Sequence, residues 1–132
     1  MAAHRLLRSA ICAIALGLPL GASAALQISD YLEMALSGAD AKGELGGPMA
    51  ANISAATRSD SPVQVHVRVA RWLPELPDCG RVLITVSQRV PTTDGRKAQW
   101  EQELEMSMCK GLDFPEQGPD LQRKPPVVRL MP

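Results

Sequence analysis

Aromatic side chains are nearly missing from this chain: two tryptophans, one tyrosine and one phenylalanine serve 132 residues. Its core must therefore lean on Val, Leu, Ile and Met. Histidine is equally scarce, with only His4 and His66, so a metal site would lack nitrogen ligands. Charge of one sign is not in excess. Fourteen basic residues balance fourteen acidic ones, which argues against the clustered basic surplus of a nucleic-acid footprint. There is no closely spaced cysteine pair of the redox type and no G-x-S-x-G turn to set up a nucleophilic serine. No apolar run reaches the roughly 20 residues of a membrane-spanning helix.

What is present begins with a leader. Arg5 and Arg8 precede an apolar run from about Ala10 to Leu20, and Ala22-Ser23-Ala24 follows. A basic start, a short apolar stretch and a small-residue A-x-A ending are the three parts of a secretory signal peptide. The expected cleavage lies between Ala24 and Ala25. It leaves residues 25–132, with 12 basic and 14 acidic side chains, and places the chain in the periplasm or outside the cell. A domain of this size buries only about two thirds of its unfolded surface, so a covalent staple would contribute substantially.

Cys79 and Cys109 supply the candidate staple. They stand symmetrically about Asp94-Gly95, a turn-forming pair, between two segments of alternating character. Val82, Ile84 and Val86 alternate in the first segment. In the second, Leu104, Met106 and Met108 lie on one side, with Glu101, Glu103, Glu105 and Ser107 on the other. Trp100, Leu104 and Met108 also fit helical spacing, so periodicity alone is ambiguous. Register favours a strand. If opposed positions sum to 188, Cys79 faces Cys109, Val82 faces Met106 and Ile84 faces Leu104, so one shift aligns both cysteines and apolar faces. Two cysteines in an exported domain pair as a structural bridge rather than acting as thiols.

The remaining elements follow from local signals. Ser29 before Asp30-Tyr31-Leu32-Glu33, with Gly38 beyond, predicts a short helix. Gly38 to Gly47 reads as a flexible connection. Pro48 and the Met49, Ile53, Ala56 stripe predict a second helix ending near Ser59-Asp60. Val63, Val65, Val67 and Val69 alternate as a half-buried strand. Pro74 and Pro77 put Trp72 to Asp78 in a loop, and the prolines after Asp113 predict an extended, mobile tail.

The expected fold class is thus α+β. Two short N-terminal helices pack on a three-stranded antiparallel β-meander with one disulfide, over residues 25–112, and a Pro-rich extended tail spans residues 113–132. No catalytic, cofactor-binding or metal-ligating set is assigned. Glu101, Glu103 and Glu105 form an acidic ridge, with Arg89 and Arg81 diagonal to its ends in the proposed register. Trp72, a residue type enriched in binding anchors, is a second surface for partner contact. Two open sheet edges would allow docking by strand addition. The functional expectation is a non-enzymatic periplasmic binding or accessory protein with no bound cofactor. It would act on another envelope protein, as a component or assembly helper of a secretion- or conjugation-type apparatus. The alternative is a small secreted enzyme or enzyme inhibitor using the ridge or the Trp72 loop.

Overall fold

A computed structural model describes residues 25–132; the leader segment and Ala24 lie outside the described residues. Chain order is α1 (Ile28–Leu36), β1 (Ala41–Glu44), α2 (Gly47–Thr57), β2 (Gln64–Leu73), β3 (Leu76–Pro91), β4 (Lys97–Cys109), β5 (Gln122–Arg123) and β6 (Val127–Leu130). All pairings between strands are antiparallel, and the sheet runs β1-β2-β3-β4, with β5 and β6 both on the far side of β4. The α+β class and the disulfide hold. Among the described residues, however, the sheet has six strands rather than three.

The β3–β4 pairing follows the expected register throughout, from Cys79 opposite Cys109 to Pro91 opposite Lys97. Cys79 and Cys109 are disulfide-bonded. The connecting turn uses Gly95 at φ 79°, a backbone conformation that an L side chain rarely tolerates. Period two then divides the strands. Val82, Ile84 and Val86 enter the core with Val65 and Val67 of β2, all nearly inaccessible to solvent.

Helix α1 starts earlier than expected. Gln27, not Ser29, precedes its first turn, and the Gln27 amide N–H donates to Asp30 Oδ2 at 2.8 Å. Tyr31, Leu32, Ala35 and Leu36 are buried against the sheet. The Tyr31 hydroxyl donates to the Glu44 carbonyl at 2.6 Å, which fastens α1 to β1. Gly43 permits this contact, because a Cβ there would lie 2.6 Å from the Tyr31 oxygen. Burial, then the charges of Glu44 and Asp30, raise the Tyr31 pKa, so the phenol keeps the proton it donates.

Two expected loops and the expected extended tail contribute strands. Ala41–Glu44, inside the expected flexible connection, pairs with Gln64–Val67 of β2. Strand β2 continues through Trp72 and Leu73 to a tight return at Pro74-Glu75, and Pro77 falls where the β2–β3 register shifts, so no ladder bond needs its missing N–H. The tail runs along the outer edge of β4: Leu104 opposes Arg123, and Trp100 opposes Val128. Pro125 and Pro126 sit between these two paired stretches. The strand-addition edge expected on β4 is therefore occupied by the chain itself.

Candidate functional site

Alternation gives the sheet two unlike faces. One carries the disulfide, Glu101, Glu103, Glu105, His66 and Thr85, and no helix among the described residues covers it. The structure brings the three ridge glutamates onto this face but gives them different surroundings. Glu105 Oε2 lies 3.6 Å from Arg81 Nη2, as the diagonal suggested. Glu103 pairs with Lys124 of the tail at 2.8 Å, and this contact raises the lysine pKa. Glu101 is partly exposed and forms no ion pair among the described residues; Arg89 does not reach it within ion-pair distance.

Arg81 is the buried member of this face. Its guanidinium donates to Ser107 Oγ at 2.9 Å and to the Asp120 carbonyl at 3.0 Å, and lies 3.6 Å from the Asp120 carboxylate. A buried charge persists only when compensated in this way. Here it fastens the start of the tail to the sheet. His66 Nε2 meets Asp40 Oδ1 at 2.5 Å, and hydrogen bonding to His66 lowers the Asp40 pKa. The hollow beside His66, lined by Lys42, Gly43, Gln64 and Thr85, measures only about 290 Å³.

Trp72 lies in β2 rather than in a loop, opposite Gly80, and is 42% exposed. Lys110 Nζ stands 5.6 Å from its ring centroid, within cation–π range. It shares a shallow hollow with Ala35, Gly38 and Asp40 at the end of α1, so it lies apart from the glutamate ridge.

The larger concavity is on the helix side, a groove of about 940 Å³. Helix α2 forms one wall, turning Met49, Asn52, Ile53 and Ala56 toward it. Val86, Trp100, Gln102 and Leu104 make the floor, and Arg123, Pro126 and Val128 form the opposite wall. This space exists because α2 is tied to the sheet at one end. Gln88, buried on β3, donates to Ser54 Oγ at 3.1 Å and to the Ser61 carbonyl at 2.8 Å. It also accepts from Thr57 Oγ1 at 2.6 Å. No residue of α2 is fully buried, so its apolar side lines the groove instead of filling it. Volume and lining match the roughly 300–1,000 Å³, mainly apolar sites that hold small ligands.

The Met49, Ile53, Ala56 stripe was visible in the sequence, but as a packing face. The tail's part in the groove was missed; Val127-Val128 followed by Leu130 is the strand signal that marks it. Among the described residues no helix is long and apolar enough to cross a membrane, and no three metal-ligating side chains cluster. Comparison with family models, curated proteins and solved structures gives no significant match to this chain.

Proposed function

We propose that this chain is an exported, non-enzymatic binding or accessory protein of the cell envelope, in the service of a secretion- or conjugation-type apparatus, and that its binding site is the groove under α2. The observation that carries this reading is the composition of the groove. Its walls are mostly carbon, and among the described residues Arg123 is the one ionisable residue that lines it. Arginine stays protonated in proteins, so it can orient an anion but cannot exchange a proton with it. Such a site suits holding a ligand more than converting one. The disulfide and the leader support export.

The test has two parts. The chain recovered from outside the cytoplasm should begin at Ala25. A photo-crosslinking side chain at Val128 should capture a bound molecule in whole cells, while the same side chain at Thr85, on the opposite face, should not. Capture from Thr85 alone, or an unprocessed chain kept in the cytoplasm, would overturn the proposal.

A further inference from the structure

We infer that the groove takes a single-chain amphiphile with an anionic head, a fatty-acid-like molecule held as a monomer with its head at Arg123 and its chain between α2 and β4. This rests on the binding reading above and names the ligand class.

Charge is the first argument. Alternation sends Glu101, Glu103 and Glu105 to the other face of β4, so the groove receives none of the strand's carboxylates. The tail divides its cations in the same manner. Lys124 reaches Glu103, whereas Arg123, opposite Leu104 on the groove side, forms no ion pair among the described residues. An exposed cation at the end of a mainly apolar groove favours an anion over a neutral head, through charge-assisted and often bidentate hydrogen bonds.

The body of the ligand is the second argument. An extended peptide needs partners for its N–H and C=O groups. Strand β4 has little to offer them, since β3 occupies one side and the tail the other. The Lys124 N–H donates to the Glu103 carbonyl and the Met131 N–H to the Lys97 carbonyl, extending that occupancy past the short strands. An alkyl chain makes no such demand. It asks only for apolar contact, which Met49, Ile53, Trp100, Leu104 and Val128 provide, with methionine able to adapt to its shape.

Trp100 supplies the readout. In the full exported chain carrying Trp72→Phe, it is the sole tryptophan. Palmitate, below the concentration at which it aggregates, should shift Trp100 emission saturably, and hexadecanol should bind at least several-fold more weakly. Arg123→Gln should weaken palmitate binding about tenfold and leave hexadecanol unchanged. Ala56→Trp should obstruct both ligands and is read by calorimetry, because it adds a second indole. Equal loss of acid and alcohol on Arg123→Gln, or no effect on either, would overturn the inference. So would binding to anionic phospholipid vesicles without uptake of monomeric palmitate, which would make the groove a membrane-docking face. If palmitate fails while the Val128 crosslinker still captures a molecule, the ligand class is wrong and the binding reading stands; if both fail, both fall.

Discussion

The two helices approach the same sheet and end differently. Helix α1 buries Tyr31, Leu32, Ala35 and Leu36 and seals the β1–β3 half. Helix α2 buries no residue fully; it is tied to β3 through Gln88 and faces β4 and the tail across the groove. Composition underlies the contrast. The α1 face presents large side chains four residues apart. On α2, Met49 and Ile53 are diluted by alanines: Ala50 packs on the core only in part, and Ala51, Ala55 and Ala56 stay exposed. A half-filled layer in a small protein forgoes burial worth about 25 cal/mol per Å² of apolar surface. The α2 half bears that cost and gains a groove.

The largest expected effect tests whether these halves depend on the staple. Replacing Cys79 and Cys109 by alanine frees a loop running from 79 through 109. In the chain-entropy treatment this lowers stability by about 3.5 to 4 kcal/mol, measured by urea denaturation, out of the roughly 5–15 kcal/mol of a typical domain. The bridge lies at the end of the β3–β4 hairpin away from Trp100. Ligand uptake by the folded fraction should therefore not change. A loss of uptake in chains shown to be folded would mean that the groove depends on the staple.

Next comes the comparison of the helices themselves. Leu36 is 2% exposed, and Leu36→Ala should cost about 2–5 kcal/mol through lost burial and a residual cavity. Ile53→Ala, facing the groove, should cost less than about 1.5 kcal/mol, because its side chain is only partly buried before substitution. Similar losses at the two positions in denaturant titrations would show that α2 is packed as firmly as α1, and the contrast would fail.

The paired core strands β3 and β4 were legible, whereas β1, in the half sealed by α1, was not. The β3–β4 register could be read from the positions of Cys79, Val82, Ile84, Leu104, Met106 and Cys109, since a one-residue slip would have inverted every side chain. Ala41-Lys42-Gly43-Glu44 carries no strand signature. It pairs because the Tyr31 hydroxyl and Val65–Val67 hold it in place, a tertiary effect beyond local propensity. The tail was misread for its prolines. Proline excludes only the position that must donate, and here the ladder is interrupted at Pro125-Pro126 and resumes at Val127. The ridge glutamates were placed on one face correctly, while the groove drew residues from α2, β3, β4 and the tail, and no contiguous pattern announces such a site.

The smallest effect concerns the groove's outer wall. The tail is held to β4 by its ladder, by Arg81 and by the exposed Lys124–Glu103 pair. Hydrogen bonding and charge attraction to Glu103 raise the Lys124 pKa above the ordinary lysine value. A raised pKa in the folded state means that the pair's contribution is fully present below that ordinary value, near ~10.4. It is lost as pH rises through the higher folded one. The pair is solvent-exposed, so the contribution is slight and weakens with salt. Methyl resonances of Val127 and Val128 should thus hold constant through neutral pH and shift only as Lys124 deprotonates. Lys124→Gln should already show the shifted positions at neutral pH and remove the alkaline step, with Lys97 and Lys110 still present as internal controls. An unchanged alkaline step in Lys124→Gln would assign the transition to another group and leave the backbone ladder and Arg81 as the holders of that wall.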